Sequence, residues 1–181
     1  MAKSGDNVKL NEIIVFRDLL PQEIREMEQV ASEEVYPRDK TIFQEGDPGD
    51  ALYVVKSGEV RISRCTPAGV EKVLSRLGPR SFFGEMSLLD GRTRSATATA
   101  DSRCVLWRIA KSDVDKLLGN NSIAAYKVIH AFSRTLCYRL RKMNDVLIEL
   151  FSDPDRTIAE AMSEKDVNNY MLISGWSIDF E

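Results

Sequence analysis

Between residues 33 and 110 the chain is repeatedly interrupted, and between 122 and 151 it is not interrupted at all. The runs 41–43, 51–56, 59–65, 70–77, 95–100 and 103–109 are rich in β-branched and aromatic residues. Turn clusters such as Glu45-Gly46-Asp47-Pro48-Gly49-Asp50, Ser57-Gly58, Thr66-Pro67-Ala68-Gly69 and Gly78-Pro79 separate them. Short strands at spacings of roughly 8–12 residues imply a sandwich or barrel of the jelly-roll kind. Thr97 and Thr99 alternate with Ala96, Ala98 and Ala100, the period of two that a strand requires. From Ser122 to Phe151 there is neither Gly nor Pro, which predicts one long helix over 122–151.

The remaining elements follow from start and stop signals. Leu20-Pro21-Gln22-Glu23 opens a helix over 21–32, with Pro at its first position and Glu in its first turn. Ser112 is expected to cap a short helix running to Leu118. The chain is therefore expected to be mainly β with flanking helices. It would form a double-stranded β-helix (jelly-roll) barrel with an N-terminal helix and a long C-terminal helix. Residues 1–11 are read as loose, 12–151 as one domain that includes the helix, and 152–181 as an appendage opened by Ser152-Asp153-Pro154. A chain of 181 residues buries enough surface to fold without disulfide or metal.

Composition removes several function classes. His130 is the only histidine, so a two- or three-His metal centre cannot be built from one chain, and catalysis by histidine would rest on that residue alone. No catalytic residue, metal site or cofactor is expected, and the chain is read as a non-enzyme. Cys65, Cys104 and Cys137 are 39 and 33 residues apart and form no ligand pair. An odd number of cysteines suggests a reducing compartment. No apolar run approaches the length of a membrane span. Together these features point to the cytoplasm. The net charge of −3 weighs against a protein that lives on phosphate backbone.

That charge is unevenly spread. The long helix carries Lys127, Arg134, Arg139, Arg141 and Lys142 against Asp145 and Glu149, a net +3. Residues 152–181 carry seven acidic residues against Arg156 and Lys165, a net −5. Along the helix, Leu136, Leu140, Met143, Leu147 and Leu150 follow 4-3-4-3 spacing. This heptad-like stripe predicts a homodimer, the alternative being a helix packed on its own barrel.

The segment Phe82-Phe83-Gly84-Glu85-Met86-Ser87-Leu88-Leu89-Asp90-Gly91-Arg92-Thr93-Arg94-Ser95-Ala96-Thr97 carries the chemistry. Its glycine lets backbone approach a ligand, and a short apolar stretch then makes one helical turn. The first N–H groups of such a turn lack intrahelical partners and face whatever sits there. Arg94 adds a fixed charge and Ser95 a hydroxyl. One cation, a few amides and a hydroxyl suit a singly charged phosphate diester. A triphosphate would want a lysine and a metal-binding carboxylate as well.

Gly84-Glu85-x-Ser87-Leu88-Leu89 followed by Arg94-Ser95-Ala96-Thr97 resembles the phosphate-binding cassette of cyclic-nucleotide-binding domains. These domains occur in catabolite-activator-type regulators, protein kinase A regulatory subunits and cyclic-nucleotide-gated channels. Upstream, residues 42–60, with Gly46, Gly49 and Gly58, are similar to that family's turn glycines and flanking strands. The resemblance covers roughly residues 12–151. It implies that Arg94 pairs with the exocyclic phosphate oxygens and that Glu85 accepts the ribose 2′-OH. It further implies that Phe83, Gly84, Met86, Ser87 and Ser95 complete the site. Thr93 stands where many members have Pro. For the base, the resemblance points to Met143 and Asn144 on the long helix, with Arg141 a second candidate. Ser95 is nearer the cyclic AMP pattern than the cyclic GMP one.

The resemblance implies a module that senses cyclic AMP, or less readily cyclic GMP, and regulates a protein partner through movement of the long helix. Catabolite-activator-type regulators continue into a helix-turn-helix of about 60–70 residues. Here the sequence after Phe151 is short and acidic, so a module without that reader is expected, and DNA is not an expected partner. The alternatives are a cyclic AMP-responsive transcription regulator, a jelly-roll metalloenzyme and a nonbinding structural domain.

Overall fold

The computed structural model describes residues 8–152 and 176–177. Two 3-10 turns, Leu10–Glu12 and Ile14–Phe16, lead into α1 (Pro21–Gln29). Strands β1 (Ala31–Tyr36), β2 (Thr41–Phe43), β3 (Ala51–Ser57), β4 (Val60–Cys65), β5 (Glu71–Leu77) and β6 (Phe82–Phe83) follow. A short helix α2 (Glu85–Asp90) precedes β7 (Thr97–Ala100) and β8 (Cys104–Ala110). Helices α3 (Lys111–Gly119) and α4 (Ile123–Ser152) come next, and β9 (Trp176–Ser177) is the last described element.

The strands form two antiparallel sheets, ordered β1-β8-β3-β6 and β2-β7-β4-β5-β9. This is the expected jelly-roll class. Strand β3 shows why the sheets close around a core. Leu52 and Val54 face a cluster made with the helices, including Phe16, Met27, Val128 and Phe132. Ala51, Tyr53 and Val55 face the barrel interior with Val60, Ile62, Leu77, Phe83 and Ala98. Both faces are buried, so the run is continuously apolar instead of alternating. Adjacent Phe82 and Phe83 divide between the same two clusters.

Three expectations need correction, and one strand went unread. The helix expected to reach residue 32 ends at Gln29, and Ala31–Tyr36 form strand β1 paired with β8. The two-residue strand β6 carried too little pattern to be read. Ser112 is not a cap: β8 runs directly into α3, whose N-cap is Ala110 with no side-chain cap bond. Finally, residues 8–11 are not loose, because Val8 and Leu10 are buried in the helix-side cluster.

Helix α4 begins as expected, with the Ala125 N–H donating to Ser122 Oγ at 3.1 Å. None of the described helices is long and apolar enough to cross a membrane. Residues 1–7 lie outside the described residues. So does the expected appendage, except for Ser152 at the end of α4 and the β9 pair, which joins the free edge of β5.

Candidate functional site

Helix α2 begins where Gly84 takes a left-handed conformation, φ 82°, which an L side chain rarely adopts. A second demand falls on the same residue. A Cβ there would lie 2.6 Å from Arg94 Nη1 and 3.1 Å from the Ala51 carbonyl. Glycine is therefore required both for the turn and for the approach of Arg94.

The Arg94 side chain is 1% exposed and lies against the cavity described below. Nη1 donates to the Gly84 carbonyl (3.1 Å) and Ser87 Oγ (3.0 Å). Nη2 donates to Asp50 Oδ1 (3.1 Å) and the Ala51 carbonyl (2.8 Å). The Phe43 ring centre lies 4.1 Å from Cζ, a cation–π contact. Among the described residues, buried Nε has no hydrogen-bond partner. Burial pulls the Arg94 guanidinium below its ordinary range, and Tyr53 and Asp50 counter part of that effect. A buried cation with one donor unused is a poor end state for the protein alone and a good partner for an anion.

Asp50 links this cation to a second one, since its Oδ2 accepts from Arg108 Nη2 at 2.7 Å. Burial pushes the Asp50 carboxyl up, but hydrogen bonding and charge from Arg108, with Arg94 adding to them, bring it net below the usual range. The backbone around Arg94 is pinned as well. Its N–H donates to the Asp47 carbonyl, and its carbonyl accepts from the Gly46 N–H.

Arg94 opens on a cavity of about 230 Å³. Phe83, Gly84, Glu85, Met86, Ser87 and Ser95 line one side. These are the cassette residues singled out in the sequence, and the fold brings all of them to one cavity with Arg94. Phe43, Ile62, Leu74 and Ala96 supply apolar walls, and Arg64 stands at the cavity with Glu45, 2.6 Å away, as counter-ion. Sequence reasoning missed these wall residues. The period of two along β4 was a usable signal, because it sets Ile62 and Arg64 on one face.

Glu85 is buried, and its Oε1 accepts from Arg139 Nη1 at 2.6 Å. Arg139 comes from α4 and lies over the Phe82 ring. It is therefore Arg139 through which the long helix meets the cassette. The expected base contacts fall elsewhere: Arg141, Met143 and Asn144 are exposed, and none lines the cavity. Among the described residues, no group of three or more His, Cys, Asp or Glu is placed to hold a metal ion.

Comparison with known proteins follows the same lines. The family model for the cyclic nucleotide-binding domain matches residues 33–121. A Cyclic AMP receptor protein of Thermus thermophilus is 38% identical over 138 residues, covering 76% of this chain and 62% of that protein. A CRP-like cAMP-activated global transcriptional regulator of Mycobacterium tuberculosis is 35% identical over 152 residues, covering 82% and 65%. The solved N-terminal domain of a transcriptional regulator from Streptomyces coelicolor superposes with a TM-score of 0.64 at 36% identity, covering 76% of this chain and 94% of that one. The chain thus spans somewhat under two thirds of the length of the two curated relatives.

Proposed function

We propose that this chain, whose residues 33–121 belong to the cyclic nucleotide-binding domain family, is a cytoplasmic cyclic AMP sensor and not a catalyst. The observation that carries this reading is the Arg94 guanidinium, buried against the cavity with Nε unpartnered beside Ser87, Ser95 and Gly84. A singly charged cyclic phosphate placed there takes up the free Nε–H and the first amides of α2, Met86 and Ser87 among them. Glu85 accepts the ribose 2′-OH, and Ile62 and Leu74 take the face of the base.

Glu85 also explains how binding reaches the long helix. Its carboxylate holds Arg139, so a ribose hydroxyl on Glu85 alters the contact that fixes α4 to α2. The nucleotide regulates only if it favours one α4 position over the other. Calorimetric titration tests the reading directly. Cyclic AMP should bind saturably, with a Kd of about 1–100 μM, and at least about tenfold tighter than cyclic GMP. No saturable binding of either at near-millimolar ligand overturns it.

The second part of the reading is a homodimer through α4. Val128, Phe132 and Thr135 face the domain and are buried, which fixes the orientation of the helix. Further along the helix, Leu140, Met143 and Leu147 are 63%, 57% and 42% exposed. Leu136 is half-buried, while these three are left uncovered, which favours a second copy as their cover. The side chain of Leu150 lies outside those described. Light scattering should give twice the 20.4 kDa chain mass, and Leu140→Glu with Met143→Glu should return it to the monomer. A wild type that is monomeric at all concentrations, with and without nucleotide, overturns the dimer.

The names of the relatives favour one further reading, the sensory part of a transcription regulator. Salt-dependent duplex binding that responds to cyclic AMP would support it.

A further inference from the structure

The second sheet ends on an edge that the C-terminal segment covers only in part. Strand β5 pairs with β4 from Glu71 to Leu77, with Leu74 left out by a register shift between Ile62 and Ser63. On its other side Arg76 and Leu77 pair with Ser177 and Trp176 of β9. Among the described residues, no strand pairs with Glu71–Ser75 on that side. Free N–H and C=O groups along an edge are a template for an extended segment of suitable sequence. Val70 and Leu74, both exposed, add apolar surface beside it.

The sequence that continues β9 fits the uncovered part. Trp176-Ser177-Ile178-Asp179-Phe180-Glu181 alternates apolar and polar residues, the period of two of a half-buried strand. The pairing is antiparallel, so the same register carried one residue further sets Ile178 opposite Ser75. Beyond that point Asp179 and Glu181 bring two carboxylates toward the stretch of β5 that carries Lys72. Lys72 stands directly opposite Arg64 of β4, and among the described residues it has neither a hydrogen bond nor an ion pair. Like charges directly opposed across a ladder destabilise it, so an added carboxylate is favourable there.

We propose that residues 176–181 dock along the β5 edge as one strand, extending the two pairs of β9 through Ile178–Glu181. The β5 edge is then a docking surface for an extended peptide of alternating apolar and polar residues, and its occupant is the chain's own C-terminal segment. So short a strand binds weakly when free. Connection to the end of α4 through residues 153–175 raises its local concentration to about millimolar. Docking closes an edge that would otherwise pair with another chain. Because β5 also carries Leu74 to the cavity wall, the segment lies on a strand that borders the candidate site. The proposal holds whatever that cavity binds.

Hydrogen exchange followed by NMR on the full chain tests it. In wild type, the β5 amides that face away from β4 should exchange at least about tenfold more slowly than in Trp176→Pro with Ile178→Pro, where the donors are lost and the strand is broken. The β5 amides bonded to β4 should be equally protected in both, which shows that the barrel is intact. A synthetic Trp-Ser-Ile-Asp-Phe-Glu peptide at millimolar concentration should restore the protection in the proline variant. Lys72→Glu, which repels the two carboxylates, should cost about threefold of the protection. Should the proline variant not fold, Ile178→Asp with Phe180→Asp keeps the backbone donors, removes the apolar alternation and carries the same comparison. Equal exchange in wild type and variant overturns the docking. Protection that disappears on dilution assigns the strand to a second copy and overturns docking within one chain.

Discussion

Arg94→Ala should lower the affinity for cyclic AMP by about 100-fold or more while leaving the fold intact. Truncating one partner of a buried charge pair costs about 2–5 kcal/mol, and about 2.7 kcal/mol is a factor of 100. The loss should be large because Arg94 is 1% exposed, so water does not screen its interaction with a bound phosphate. Stability moves much less. The substitution leaves the Ala51 and Gly84 carbonyls without their guanidinium donor, at about 1–3 kcal/mol. It also relieves the burial of a cation, which works in the opposite direction. Arg94→Lys is the informative companion. It keeps the charge but cannot reach Gly84, Ser87, Asp50 and Ala51 together, so it should recover only part of the affinity. Titration calorimetry paired with thermal melts checks both halves. Affinity within threefold of wild type in Arg94→Ala would remove Arg94 from the phosphate site.

How much of this site was legible in the sequence depends on how far each signal reaches along the chain. The cassette reads well because Gly84, Glu85, Ser87, Arg94 and Ser95 lie within a dozen residues, and a local turn sets their geometry. The buried strand β3 reads well because two-sided burial leaves a continuous apolar run. Strand β1 does not, because Ala31-Ser32-Glu33-Glu34 has the composition of a helix. Only its pairing with β8, about seventy residues away, makes it a strand. The expected base contact at Arg141 fails for a geometric reason. Arg141 and Arg139 differ by two positions, which on an α-helix is a rotation of about 200°. That rotation separates a side chain buried on Glu85 from one in solvent. Asp50 escaped notice because it closes a turn cluster. Nothing local says that its carboxylate lies between Arg94 and Arg108.

Gly49→Ala should weaken cyclic AMP binding by about 10- to 100-fold, although Gly49 does not line the cavity. In the sequence Gly49 reads as one more turn glycine beside Pro48, yet its conformation is not the reason for glycine there, because its φ is not positive. The reason is contact. A Cβ at Gly49 would lie 2.2 Å from Ser87 Cβ, 2.4 Å from Ser87 Oγ and 3.2 Å from the Arg92 carbonyl. Ser87 Cβ is held next to the α2 backbone and cannot swing aside as the end of a long side chain can, so α2 must move. Overpacking of this kind costs about 1–3 kcal/mol. The displacement acts on Ser87, whose Oγ accepts from Arg94 and itself donates to the Gly84 carbonyl at 3.3 Å. A binding constellation holds its geometry to within about 0.5 Å, and an added methyl here asks for more than that. Gly69→Ala is the control, with φ 77° and open space around the new Cβ. It imposes backbone strain of about 1–2 kcal/mol without touching the cassette. Both variants should therefore melt below wild type, and only Gly49→Ala should lose affinity in calorimetry. Equal affinity in the two would mean that α2 absorbs the methyl without displacing the groups that hold the phosphate.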